Sequence, residues 1–291
     1  MLEEGMLGKC GLGKGMVLVL LCVASAADAS EVKLDVGDAS LRYDMPAGYV
    51  RASEESPPLF HYLASAMPPA NRLVEAFYTP ADVRIMLAGG GTAKDTYFMV
   101  QAIRSMERET VSTDDWRGIL AQATAEMGKV DISAEIANDT ARNQRMSEAA
   151  GKPVKIEFGE VATPQIYDQT DHAVRFLMFI PVTVDIDGKP LTLSSVCAGA
   201  MLLVRNKPLM VYAYRAASTP TDIAAAKREL GIAADSLLAL NASSTEVATS
   251  PGAKLGRFEW GRVAMKGIMG GGIGLVIALI AMLGRRRKQA S

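Results

Sequence analysis

The chain has 291 residues, 49% hydrophobic and 22% charged, enough for one core of about 150–220 residues with length left for targeting or anchoring segments. The formal net charge of −1 conceals a split: residues 30–253 carry −7 and residues 254–291 carry +7. An acidic body argues against a nucleic-acid partner, because phosphate contacts need cations on the folded surface; two histidines and three cysteines argue against His-rich metal centres and nucleophilic triads, and no cofactor is implied.

Residues 1–29 have the three parts of a secretory signal peptide. Lys9 and Lys14 give the basic start, Met16 to Val23 the apolar run, and Ala24-Ser25-Ala26 or Ala27-Asp28-Ala29 the cleavage site. An uncleaved membrane anchor is the alternative, but the apolar run is short for a span. Initiation at Met6 gives a cleaner signal, since it omits the acidic Glu3 and Glu4. Leu21 ahead of Cys22 does not suit a bacterial lipobox. Once Cys10 and Cys22 leave with the signal, Cys197 is alone, and in "SSVCAGAMLLV" it reads as a small buried hydrophobe.

Residues 30–241 read as one extracytoplasmic α+β domain. Val32, Leu34 and Val36 alternate, Gly37-Asp38 turns the chain, and Leu41 and Tyr43 alternate again. Further strands are expected at Tyr49, in "LFHYLAS" and in "RLVEAFYT", followed by one helical turn at Pro80–Asp82. "LAGGGTAKD" resembles a phosphate loop, yet Gly is missing before Lys94 and the glycines precede a strand at 95–104; a plain loop is the reading taken. A helix is expected over 112–128, capped by Ser112 with Asp115, its apolar face being Trp116, Ile119, Leu120, Ala123 and Met127. Residues 131–149 are helix-compatible but polar. From Val154 the pattern turns to long strands with turns at Asp187-Gly188 and Asn206-Lys207, an antiparallel meander apolar enough to be covered on both faces. Thr219-Pro220-Thr221-Asp222 then opens a second capped helix, with Ile223, Ala226, Leu230, Leu237 and Leu240 facing a core.

Residues 242–262 form a linker and residues 263–284 an expected transmembrane helix. Residues 267–284 hold no charge and reach about 27 Å as a helix, just under a hydrocarbon core of about 30 Å. Trp260 sits at interface depth, Lys266 snorkels, and Arg285, Arg286, Arg287 and Lys288 start a cytoplasmic basic tail, residues 285–291. Gly267/Gly271 and Gly270/Gly274 fit GxxxG twice, the spacing of a homodimer through the span. A removable Gly-rich sorting tail is the other reading of the same residues.

"YDMPAGYV" near the mature start, the central helix, the long meander and the ending "MVYAYRAASTPTDIAAAKRELGIAADSLLALN" together resemble the PsbP/DcrB-like fold family over residues 32–241. The resemblance implies an antiparallel sheet sandwiched by helices, and a non-catalytic partner of a membrane complex or an envelope protein. It carries over no ligand residues.

Within the body, His61 and His172 read as structural or surface groups. Asp114/Asp115 suit a helix N-terminus, Asp185/Asp187 frame a hairpin turn, and Asp168/Asp171 share a loop with His172 as the one cation candidate. Asn138 and Asn241 fall in chance sequons. The leading expectation is a bacterial inner-membrane, single-pass, periplasm-facing interaction or envelope-maintenance protein with a protein partner. A carboxylate-based or cation-dependent hydrolase and a small-ligand or lipid binder are the alternatives.

Overall fold

Apolar alternation with period two produces most of the strands. It forms β1 (Ser30–Val36) and β2 (Ala39–Met45), which pair with each other from Ser30↔Met45 to Val36↔Ala39. The computed structural model describes residues 30–88, 93, 95–127, 140–151, 153–160, 162–186, 189–217 and 219–242. After the hairpin come β3 (Val50–Arg51), α1 (Ala52–Glu55), α2 (Pro57–Ala66), β4 (Asn71–Tyr78), α3 (Pro80–Leu87), β5 (Tyr97–Ile103) and α4 (Thr113–Met127). Then follow α5 (Thr140–Ala150), β6 (Val154–Phe158), β7 (Gln165–Gln169), β8 (Ala173–Ile186), β9 (Lys189–Val204), β10 (Lys207–Ala216) and α6 (Pro220–Asn241).

Eight of these strands form one sheet in the order β3-β4-β5-β10-β9-β8-β6, with β7 also paired to β8. Every pairing is antiparallel, so the α+β class with antiparallel sheets and helices is observed. All seven residues of β5 and the first eight of β10 are buried, which requires cover on both faces. On one face Tyr97, Met99, Met201 and Tyr212 pack with α2, α3 and α4 through Leu63, Met86 and Ile119. On the other face Val100, Ala198, Leu202 and Val211 pack with Leu230 and Leu237 of α6 and with Leu34 and Leu41 of the β1–β2 hairpin. Each such leucine contributes about 1.5–3 kcal/mol by leaving water.

Two glycines make this packing possible. Gly199 lies opposite Phe176 on β8, and a Cβ there would sit 2.4 Å from the ring. The missing side chain is the space the ring occupies. Gly37 turns the hairpin with φ +61°, and its Cβ would fall 1.9 Å from the Glu107 carbonyl oxygen, so the hairpin tip rests directly on backbone.

The two helices read from capping signals are present. In α4, Ser112 Oγ accepts from the Asp115 amide at 3.1 Å, and the buried residues are Trp116, Ile119, Leu120, Ala123 and Met127. In α6, Thr219 and Asp222 close a full capping box, with Pro220 in the first turn. Ile223 and Leu240 are only half-buried, and Ala225, Ala233 and Ala234 supply much of the face instead.

Several expectations need correction. "LFHYLAS" is not a strand but most of α2. Pro57 and Pro58 occupy its first turn, and Leu59, Tyr62, Leu63 and Ala66 are buried at helical spacing. Pro80 begins not one turn but the eight-residue α3, capped by Thr79 Oγ1 accepting from the Asp82 amide. The second meander turn is Arg205-Asn206, one residue before the expected site. Of 131–149, residues 140–149 lie in α5; residues 131–139, like Asp187-Gly188, lie outside the described residues.

The membrane reading is also corrected. Among the described residues no helix is long and apolar enough to cross a membrane. The longest, α6, has 22 residues but carries Asp222, Lys227, Arg228, Glu229 and Asp235, charges that a hydrocarbon core excludes. The transmembrane and single-pass assignments are therefore not carried forward. The signal peptide over 1–29, the linker from 243, the span 263–284 and its anchor residues Trp260, Lys266, Gly267, Gly270, Gly271, Gly274, Arg285, Arg286, Arg287 and Lys288 lie outside the described residues.

Candidate functional site

Segments far apart in sequence meet at the end of the sheet that holds the β9–β10 turn. Arg205 and Asn206 both have positive φ, 48° and 62°, the signature of a type I′ hairpin turn. Such a turn favours Asn-Gly, and an arginine in this region costs about 1–2 kcal/mol. The surroundings offset that cost. Arg205 Nη1 donates to the Ser40 carbonyl at 3.1 Å, and the Asn206 carbonyl accepts from the Val111 amide at 3.0 Å. The turn is thereby fixed to the β1–β2 hairpin and to the segment leading into α4.

The next residue completes the junction. Lys207 is 4% exposed, and its Nζ reaches Asp38 Oδ1 at 2.6 Å and donates to the Glu109 carbonyl at 3.0 Å. The hydrogen bond from Lys207 holds the Asp38 carboxyl below the usual carboxylate range. Asn241, at the end of α6, accepts from the Arg42 amide at 3.0 Å and donates to the Arg42 carbonyl at 2.8 Å. Its side chain thus mimics one residue of a strand against β2.

A cleft of about 720 Å³ opens among these elements. Leu203, Val204 and Leu238 give it an apolar floor, and Thr110, Thr113, Thr170, His172, Arg205 and Asn206 give it a polar rim. Its two carboxylates are already engaged: Asp38 with Lys207, and Asp235 with Arg175. The remaining groups donate and accept hydrogen bonds over an apolar floor, which suits holding a ligand.

Of the candidate histidines and paired carboxylates read from the sequence, only His172 lines this cleft. Asp171 pairs with Arg117 at 2.9 Å, a bond that lowers its pKa, whereas Asp168 pairs with Arg175 at 2.6 Å. The two carboxylates are held by different arginines, and no group of three or more His, Cys, Asp or Glu among the described residues is arranged to hold a metal. Asp114 pairs with Arg117, and the Asp115 carboxylate accepts a hydrogen bond from the Ser112 hydroxyl that caps α4. Asp185 sits in β8 beside β6, and Asp187 lies outside the described residues. His61 is exposed on α2. Cys197 is fully buried, and burial pushes its thiol well above the ordinary range, away from the reactive thiolate. Asn241 matters through its amide, not as a sequon. In the sequence Asp38 and Lys207 stand out only as turn residues and Arg205 not at all; the only local signal is the turn itself.

Compared with family models and with curated proteins, the chain matches none. Among solved structures it is similar to the Saccharomyces cerevisiae Ran-binding protein Mog1p at 11% identity and a TM-score of 0.32, over 74% of this chain and 98% of that one. A mutant of protein Mog1 gives 13% identity and a TM-score of 0.26, over 72% and 90% of the two chains. Scores this low leave the function to be argued from the chain's own geometry.

Proposed function

We propose that the chain is a non-catalytic binding module that seats a short polar segment of a protein partner in the cleft at the β9–β10 turn. The observation that carries this reading is the cleft itself: about 720 Å³, apolar at the base and ringed by hydroxyl, amide and guanidinium groups. The resemblance to the PsbP/DcrB-like family, whose members include non-catalytic partners of larger complexes, supports the same reading. A carboxylate-based hydrolase draws no support here, because Asp38 and Asp235 are each neutralised by a cation in place of facing one another across a substrate.

Site-specific photocrosslinking in the full chain tests the proposal. A crosslinker at Thr113 on the rim is expected to give one specific adduct that is lost when Leu238→Arg fills the floor. The same crosslinker at Glu157 on β6 serves as the remote control. Identical adducts from both positions, or an adduct indifferent to Leu238→Arg in a protein that keeps its circular-dichroism spectrum, would sink the idea.

A further inference from the structure

The two core layers differ in chemistry. The layer between the sheet and α2–α4 contains nine buried methionines, among them Met86, Met99, Met178, Met201 and Met210. The layer under α6 contains no fully buried methionine and is built from Ala, Val and Leu with three aromatic rings. Methionine has three rotatable bonds and a polarizable sulfur, so a core rich in it repacks around different shapes.

The methionine layer also holds polar groups with nothing to bond. Tyr62, Tyr78 and Tyr97 hydroxyls, Gln101 Nε2 and Trp116 Nε1 have no partner among the described residues. Their residues are at most 5% exposed. Tyr78 and Tyr97 stack at 4.9 Å, and Tyr97 stacks on Tyr214 at 4.9 Å, so a row of rings crosses three adjacent strands. The layer under α6 has two unpaired hydroxyls, those of Tyr43 and Tyr167, and only Tyr43 is a fully buried residue. Orphaned donors are rare in folded proteins, and several in one layer ask for a common explanation.

We propose that this layer is a ligand chamber, separate from the cleft, that opens by methionine repacking to take an uncharged apolar molecule bearing a carbonyl oxygen. Indole N–H and amide N–H groups donate only, so what they lack is an acceptor. A carbonyl supplies one without adding a donor. A carboxylate is disfavoured, since the buried charges near the layer are engaged at its margin: Glu75 by Arg51 and Ser53, Arg142 over the Phe158 ring. Acyl esters and quinones share the required chemistry.

The test uses the full chain with 1-monoolein as the ester, menadione as the quinone and dodecane as the carbonyl-free control, read by calorimetric titration and thermal unfolding. Saturable binding of either carbonyl probe, with a raised unfolding midpoint and with dodecane bound more weakly, is expected; the better probe identifies the source. Tyr97→Phe keeps the ring and deletes the hydroxyl. Without probe its midpoint should be unchanged or higher, because an unpaired buried group has gone. With probe, Tyr78→Phe, Tyr97→Phe or Trp116→Phe should weaken binding about 3- to 10-fold. Leu238→Arg in the cleft should leave probe binding intact, which separates this proposal from the preceding one. No saturable binding of either probe, a midpoint several degrees lower for Tyr97→Phe alone, or affinity indifferent to all three variants overturns the chamber.

Discussion

Replacing Gly199 by alanine tests whether the central sheet is built around one ring. The new methyl carbon would lie 2.4 Å from Phe176 Cζ and 2.5 Å from Cε2. Ordinary carbon contacts are about 3.5–4.0 Å, so the ring must retreat by about 1 Å. It has nowhere to go, being fully buried and set edge-on to Tyr212 at 6.4 Å between centroids. Overpacking of this kind costs about 1–3 kcal/mol. In a domain of this size that lowers the midpoint by roughly 2–4 °C for each kcal/mol, hence by about 2–12 °C in all. Thermal and urea unfolding followed by circular dichroism would measure it. The decisive arm is Phe176→Leu, which removes the obstructing edge. Gly199→Ala should cost at least about 1 kcal/mol less in that background than in the parent, a coupling well above the roughly 0.3–0.5 kcal/mol scatter of independent sites. Additive losses would refute the steric account.

Gly37→Ala should destabilise by several kcal/mol, because it combines a left-handed backbone with a contact of 1.9 Å to the Glu107 carbonyl; unfolding midpoints measure it, and a change under 1 kcal/mol would show that the hairpin tip lifts freely. Asn241→Leu deletes the bonds to both backbone groups of Arg42 and leaves them to water or to no partner; a loss of about 1–3 kcal/mol is expected, with amide exchange quickened at Arg42 ahead of the sheet. For Asp38 the folded pKa lies below the unfolded value, so its contribution is present above about pH 4 and is lost as pH falls through the folded pKa. Unfolding midpoints across pH 2–6 should therefore fall less steeply in Asp38→Asn than in the parent, and parallel curves would contradict the assignment.

What the sequence disclosed was local. The cap at Ser112, the capping box at Thr219 and the helical spacing after each need no knowledge of the rest of the chain. Strand alternation in β1 and β2 is equally self-contained. The failure at "LFHYLAS" was also local: Phe60 and Tyr62 suggest a strand, while Leu59, Tyr62, Leu63 and Ala66 repeat with helical period behind two prolines, and packing favours the helix. The cleft is of another kind. Lys207 and Glu109 lie 98 residues apart, and Asn241 and Arg42 lie 199 apart, so no window of sequence contains the site. Nor does composition reveal that an arginine adopts the first position of a type I′ turn.

The two layers explain why the cleft and the methionine core belong to different ends of one sheet's behaviour. On the α6 side, Ala198, Ala200 and Ala213 face Ala226, Ala233 and Ala234, and small residues let helix and sheet approach closely. Side-chain ties from Ser236 and Asn241 to backbone groups of β2 then fix the hairpin against that helix. A surface assembled from such parts loses little freedom when a partner docks, which lowers the entropic cost of binding. The cleft sits on this side of the turn, between the hairpin tip and the last turn of α6. On the opposite face, long flexible methionines and unpaired hydroxyls give up rigidity and keep the capacity to reorganise. If both sites act, a molecule taken into the methionine layer would alter the packing of Met201 and Met210, on the same two strands that end in the Arg205-Asn206 turn. The sheet is then the element through which one site would bias the other.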